Sequence, residues 1–169
     1  MVLTKTPICN FGEKTKSFEL KGIDGQLHKL EDHIGKNGLL IMFICNHCPY
    51  VKAIIRDIVE DCKNLKKEGV NSIAIMSNDT KEYPEDSFEN MKIFSKKFNF
   101  SFPYFIDDTQ EIAKKYGAVC TPDFFGYNSK LELQYRGRIR ELKDLKPINS
   151  GESDLSRAMR LIIKTGKGP

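Results

Sequence analysis

The stretch FICNHCPYV, residues 43–51, places two cysteines three positions apart, with a histidine between them and a proline directly after the second. This motif joins two segments in which the apolar residues recur with different periods. The run GLLIMFIC, residues 38–45, is continuously apolar and too short for a helix, so it predicts a strand buried on both faces. From Pro49 onward, apolar residues recur every three or four positions, which indicates an amphipathic helix ending at Gly69. The motif therefore lies where a buried strand meets a helix.

This position gives the CxxC pair a specific chemistry. Proline is favoured at the first helical position, so Pro49 marks the helix start and places Cys48 at the cap, with Cys45 just before it. Thiols on one helical turn can reach disulfide geometry, and the free N–H groups of a helix N-terminus stabilise a thiolate. We expect Cys45 to lie further towards solvent and to be the attacking thiol, with Cys48 resolving the mixed disulfide. A protonated His47 would favour the thiolate and make the pair more oxidising.

The composition narrows the class of protein. A chain of 169 residues, 40% of them hydrophobic, is expected to form one domain over residues 1–169. Its 27 basic and 23 acidic residues are interspersed, which argues against a nucleic-acid partner. The absence of a signal-peptide pattern and of a run of about 18 apolar residues predicts a cytoplasmic protein with no membrane partner. Five cysteines in a reducing compartment favour catalytic or metal-binding thiols over a disulfide framework.

The other segments predict a mixed α/β sheet with helices on both faces. A β-helix-β order around the motif implies a right-handed crossover to a second buried strand at residues 70–78. The remaining predicted elements are a hairpin at residues 18–30, a helix at about 87–98, a strand at 102–108, a short helix ending at Gly117, a hairpin around Asn128 and Ser129, and a helix at 153–164. Residues 143–153 are predicted to be a polar linker.

A second motif, YGAVCTPDFF at residues 116–125, contains a proline directly before an apolar strand. The Thr121–Pro122 bond is therefore a candidate cis peptide. Together with FICNHCPYV and YRGRI (residues 135–139), this motif resembles the thioredoxin superfamily, in its peroxiredoxin-like branch of redoxin domains of the AhpC/TSA type. The resemblance covers nearly the whole chain and implies a thioredoxin-like fold.

The resemblance also implies roles for individual residues. Cys45 and Cys48 would form the redox-active disulfide, Pro122 would pack beside them and help to bind the substrate backbone, and Thr121 would present its backbone to an incoming peptide. Cys120, two residues before Pro122, is expected close to the pair, either resolving a disulfide or simply packing in the junction as a small apolar residue. The implied activity is that of a thiol-disulfide oxidoreductase, acting on a protein or small-molecule disulfide with an unidentified thiol reductant and no cofactor.

The chain departs from the family pattern at two points. Ile44 stands where ordinary thioredoxins carry a tryptophan before the first cysteine, which puts reduction by their usual partner in doubt. Peroxiredoxins carry a proline and a Thr or Ser seven and three residues before the reactive cysteine, and neither cysteine of the pair has them. A thiol-dependent antioxidant peroxidase acting on peroxide is thus an alternative that lacks its activating residues, although Arg136 or Arg138 would be a source of positive charge.

Two further interpretations come from other classes of protein. Cys45, His47, Cys48 and Cys120 are possible zinc or copper ligands. Only one CxxC is present, however, and none of the three histidines follows the pair, so no metal is expected. A redox-dead interaction module is disfavoured because both cysteines of the pair are retained. Cys62 falls on the apolar face of its helix and is expected in the core, and Cys9 is interpreted as incidental.

Overall fold

The sheet at the centre of the molecule has seven strands. The computed structural model describes residues 10–169, so Cys9 lies outside the described residues. The strands are β1 (Glu19–Gly22), β2 (Leu27–Lys29), β3 (Gly38–Phe43), β4 (Val70–Met76), β5 (Tyr104–Ile106), β6 (Asp123–Tyr127) and β7 (Leu133–Gly137), in the spatial order β2-β1-β5-β4-β3-β6-β7. The helices are α1 (Pro49–Lys67), α2 (Phe88–Lys97), α3 (Glu111–Tyr116) and α4 (Asp154–Thr165).

Strand β3 lies inside the sheet, parallel to β4 and antiparallel to β6. Its side chains alternate between two hydrophobic clusters because successive residues of a strand point to opposite faces. Leu40 and Met42 pack with α1, α2 and α4 on one face, whereas Leu39 and Ile41 pack with α3 on the other. The prediction of a strand buried on both faces, within a mixed sheet covered by helices, is confirmed.

Both predicted hairpins are present and lie at opposite edges of the sheet. The polar linker predicted at residues 143–153 contains a small hairpin. Two short strands, β8 (Leu142–Lys143) and β9 (Lys146–Pro147), pair there through a two-residue turn. Asp144 and Leu145 both have positive φ, 52° and 61°, the conformation of a tight hairpin turn. Aspartate is common in such turns but leucine at positive φ is rare, so Asp144 alone is a weak turn signal.

Helix α1 carries the cysteine motif at its first turn. Pro49 is its first residue and Cys48 is the N-cap, in an extended conformation, as predicted. The buried side of α1 fits its sequence pattern, with Val51, Ile54, Ile55, Ile58, Cys62 and Leu65 all facing the core. In the described part of the chain, no helix combines the length and apolar character needed to span a membrane.

A histidine pair at the edge of the sheet is expected to make the stability of the fold depend on pH. The His28 Nδ1 and His33 Nε2 atoms lie 3.0 Å apart, beside the ring of Phe105. Burial, and secondly the charge of His28, lowers the pKa of His33 below its usual value of 6.5. Between the lowered and the usual pKa, the unfolded chain binds more protons at His33 than the folded chain does. The free energy of unfolding is therefore expected to fall as the pH drops below about 6.5.

Urea unfolding from pH 7.5 to 5, followed by circular dichroism, measures this dependence. The His33→Gln variant keeps a side chain that can hydrogen-bond to His28 but does not titrate, so its loss of stability over this range should be smaller. Equal pH dependence in the variant and the wild type would show that His33 does not contribute.

Candidate redox site

The two cysteines of the motif lie side by side at the end of β3, but both are buried. Cys45 is 0% exposed and Cys48 is 1% exposed. The expectation that Cys45 lies further towards solvent was wrong, because Thr121 and Asp86, from two other segments, cover the chain at this point. The Cys45 Sγ lies 3.4 Å from the Thr121 hydroxyl, and the Cys48 thiol donates to the Thr121 carbonyl at 3.5 Å.

The two thiols differ in acidity. A hydrogen bond from Cys45, with smaller contributions from the N–H groups of Val51 and Tyr50, lowers the pKa of Cys48 to about 6 despite its burial. The same hydrogen bond, then burial and the nearby Asp86 carboxylate, raises the pKa of Cys45 well above its usual value. The hydrogen bond from Cys45, aided by the N–H groups of the first helical turn, thus favours one negative charge on the pair.

Asp86 holds the loop between the cysteines. It lies in a 3₁₀ turn (Pro84–Asp86) after β4, and it is fully buried. Its Oδ1 accepts hydrogen bonds from the backbone N–H of Asn46 at 2.7 Å and of His47 at 3.2 Å. Its Oδ2 pairs with the His47 Nδ1 and accepts from the Asn78 side-chain amide at 2.9 Å. A single carboxylate therefore organises both residues that separate the cysteines.

The loop has further support from aromatic side chains. The buried Tyr104 hydroxyl donates to the Asn46 Oδ1 at 2.9 Å, and the Asn46 amide donates to the Glu85 carbonyl at 3.2 Å. The ring of Tyr83 stacks on the His47 imidazole, with centroids 4.8 Å apart and planes inclined by 12°. The His47 side chain remains 26% exposed, whereas both cysteines that flank its loop are buried.

The segment before β6 faces the pair and contains a cis peptide bond between Thr121 and Pro122, as predicted. Asp123 follows directly and forms an ion pair with Arg136 of β7 at 2.7 Å, in which each side chain is 5% exposed. Arg136 also donates to the Gly117 carbonyl at 2.8 Å. These contacts attach both ends of residues 117–123 to the sheet.

Cys120 lies in this segment and is partly buried. It lines a cavity of about 310 Å³, together with Phe43, His47, Tyr83, Lys114 and Thr121. Burial raises the pKa of Cys120, with smaller effects from Asp123, Arg136 and Cys48. The structure thus brings Cys120, His47 and Thr121 to one cavity beside the buried pair. Cys62 is 3% exposed, and burial raises its pKa to about 12, which agrees with the predicted core position.

Both arginines considered as a source of positive charge for a peroxide site form ion pairs with aspartates. Arg136 pairs with Asp123, whereas Arg138 is 59% exposed and pairs with Asp154 at 3.0 Å. The positive charge expected near the pair is therefore used to hold the segment that contains Cys120.

The spacing of three side chains also resembles that of a metal site. One potential ligand atom from each of Cys45, His47 and Asp86 lies within 4.8 Å of the others. Both oxygens of Asp86 already accept two hydrogen bonds each, from Asn46, His47 and Asn78. A cation would have to displace these donors, so the arrangement fits a hydrogen-bond network better than a metal centre.

Sequence reasoning missed Asp86, Asn78 and Tyr83. Residues 83–86 lie between the predicted strand at residues 70–78 and the predicted helix at about 87–98, and their own sequence indicates no role in the site. A signal was present, because this segment follows β4, which is parallel to β3. The carboxyl ends of parallel neighbours meet at one edge of a sheet, so polar residues after β4 belong beside the motif after β3.

Comparison with known proteins identifies the family and the fold of the chain. The chain is 27% identical over 122 residues to the thiol-disulfide oxidoreductase ResA of Bacillus thuringiensis subsp. konkukian (strain 97-27). That alignment covers 72% of this chain and 66% of ResA, slightly less than two thirds of the relative. An uncharacterized conserved protein from Geobacillus kaustophilus superposes with a TM-score of 0.82 at 36% identity, covering 98% of this chain and 90% of that protein.

A thiol:disulfide interchange protein of the thioredoxin family from Chlorobium tepidum TLS superposes with a TM-score of 0.67 at 16% identity. The superposition covers 92% of this chain and 99% of that protein, and it confirms the thioredoxin-like fold. Residues 11–142 match the AhpC/TSA family, and this match includes both cysteines of the motif and the cis-proline segment. Since the match spans more than half of the chain, the protein belongs to the AhpC/TSA family.

Proposed function

We propose that the protein is a thiol-disulfide oxidoreductase in which Cys45 and Cys48 exchange a dithiol for a disulfide. The observation that carries the proposal is the contact of Thr121, beside the cis-proline, with both sulfur atoms. A substrate strand that pairs with the backbone of this segment would bring its disulfide next to the pair. The lowered pKa of Cys48 adds support, because a thiolate is the form that reacts with disulfides.

In the proposed reaction, Cys45 passes its proton to the hydrogen-bonded Cys48 thiolate, and the resulting Cys45 thiolate attacks one sulfur of the substrate disulfide. A mixed disulfide forms, and the other substrate sulfur leaves as a thiolate that takes up the proton from Cys48. The Cys48 thiolate then attacks the Cys45 sulfur, which releases the second substrate thiol and leaves a Cys45–Cys48 disulfide. The substrate is reduced by two electrons and the pair is oxidised by two. An external thiol reductant restores the pair by the same exchange in reverse.

The cavity beside the pair suggests how substrate approaches. Val119 and Tyr83 line it and are 51% and 36% exposed, so an apolar side chain next to the substrate cysteine would find a partner there. Because both sulfur atoms are buried, reaction requires the segment around Thr121 to move as the substrate binds. We place the reaction in the cytoplasm, where the pair would be kept reduced.

Stopped-flow kinetics would test this function against the peroxidase alternative. The fully reduced protein is mixed with hydrogen peroxide or with a model protein disulfide, and the product bridge is mapped by mass spectrometry. We expect the faster reaction with the disulfide, and a bridge between Cys45 and Cys48. A faster reaction with peroxide, with Cys120 in the bridge, would contradict the proposal and indicate a peroxidase.

His47 is expected to tune the pair. In the His47→Asn variant a side chain that can carry positive charge near the Cys45 thiolate is lost, so the reduction potential should become more negative. The expected shift is up to about 30 mV, equivalent to a tenfold change in the equilibrium with glutathione. Equilibration in glutathione redox buffers measures it, and an unchanged potential would remove His47 from the mechanism.

A further inference from the structure

We propose that Asp86 is a positioning residue of the redox pair, which fixes the loop between the cysteines and makes the pair more reducing. The proposal rests on the proposed function, since it concerns the reduction potential of the same two cysteines. The proposal also gives the direction of electron transfer, because a more reducing pair is suited to donating electrons to substrate disulfides.

The geometry shows how Asp86 acts on the loop. Its side chain is fully buried and accepts hydrogen bonds from both residues between the cysteines, Asn46 and His47, and from Asn78. The His47 ring also pairs with it. Every donor that reaches the carboxylate belongs to the loop or to the chain just after β4, so Asp86 joins these two segments.

The electrostatic effect follows from distance and burial. A carboxylate oxygen of Asp86 lies within 4.8 Å of the Cys45 sulfur, and neither residue has appreciable contact with water. An anion at this distance opposes the negative charge that the reduced cysteine pair carries. A less stable thiolate means a less stable reduced form, and hence a more negative reduction potential. A protonated His47 would counter this effect, since its ring lies against the same carboxylate.

The Asp86→Asn substitution tests the proposal because it removes the charge but keeps an oxygen that can accept from the N–H groups of Asn46 and His47. The equilibrium constant for oxidation of reduced glutathione should rise on the order of tenfold, a shift of about 30 mV towards less negative potential. This sign is opposite to the sign expected for His47→Asn. A loop that had merely been loosened would shift the potential in the same direction in both variants.

Two further variants keep the test decisive. Asn78→Ala removes one donor from Asp86 and leaves its charge less compensated, so the potential should become more negative even if Asp86→Asn does not fold. Asp61→Asn is the matched control. Asp61 is also a partly buried carboxylate that accepts a side-chain hydrogen bond, from Ser153, but it lies thirteen residues beyond Cys48 along α1, roughly 20 Å away. The reduction potential of the Asp61→Asn variant should equal that of the wild type.

The outcomes separate this proposal from the proposed function. If the wild type forms no Cys45–Cys48 bridge in glutathione buffers, the proposed function fails. If the wild type forms the bridge but Asp86→Asn leaves its potential unchanged or makes it more negative, the role of Asp86 is overturned. A potential for Asn78→Ala that moves in the same direction as that for Asp86→Asn would also contradict the proposal.

Discussion

The Cys45→Ser variant is expected to lose disulfide reductase activity by about a thousandfold or more, the scale seen when an enzyme loses its nucleophile. Serine fits the buried site at the end of β3, so the fold should persist. The Cys48→Ser variant should complete the first step and then stop, because no thiol remains to displace the substrate. It should therefore accumulate a mixed disulfide with Cys45 that is visible by intact mass.

The structure lowers the pKa of Cys48 rather than that of Cys45, so the same experiment also tests which of the two cysteines is the nucleophile. Trapping of the substrate on Cys48 in the Cys45→Ser variant would identify Cys48 as the nucleophile. Cys62→Ser is the matched control. Cys62 lies on the buried face of α1, and its pKa is raised to about 12, so its thiol should be dispensable for activity. Cys120→Ser should keep the Cys45–Cys48 bridge if Cys120 serves only to line the cavity.

The largest loss of stability is expected for Arg136→Leu, at about 3–5 kcal/mol. The substitution leaves Asp123 buried without its ion-pair partner, and burial already raises the pKa of Asp123. It also removes the hydrogen bond to the Gly117 carbonyl and the contact of the guanidinium with the Phe125 ring, 4.5 Å from its centroid. Activity should fall as well, because the segment that contains Cys120 and Thr121 loses its attachment to β7.

The control for Arg136 lies two residues further along the chain. Arg138 is also paired with an aspartate, Asp154, but both side chains are exposed, so Arg138→Leu should cost at most about 1 kcal/mol. Urea unfolding followed by circular dichroism is suitable, since the chain contains no tryptophan. Equal stabilities of the two arginine variants would contradict the role given to the buried pair. Replacing both Asp123 and Arg136 by leucine should restore much of the loss, because no unpaired charge remains.

Much of the site could be predicted because its signals are local. The spacing of Cys45 and Cys48, and Pro49 at the first helical position, lie within one turn of helix and the end of one strand. The Thr121–Pro122 bond likewise needs only the proline and the strand that follows it. The tight turn at Asp144 and Leu145 is the counterexample, since it is also local but places a leucine, which rarely adopts positive φ, at its second position.

The sequence by itself determined the order of strands β1 to β7 and helices α1 to α4, the position of the CxxC pair at a helix N-terminus and the cis-proline segment, because each depends on residues close together in the chain. Only the tertiary structure decided the burial of Cys45, the cavity at Cys120 and the contacts of Asp86. Asp86 is 40 residues from Asn46, and Thr121 is 76 residues from Cys45. Strand β3 pairs in parallel with β4 and antiparallel with β6. These pairings bring three segments that are far apart in the sequence to one end of the sheet.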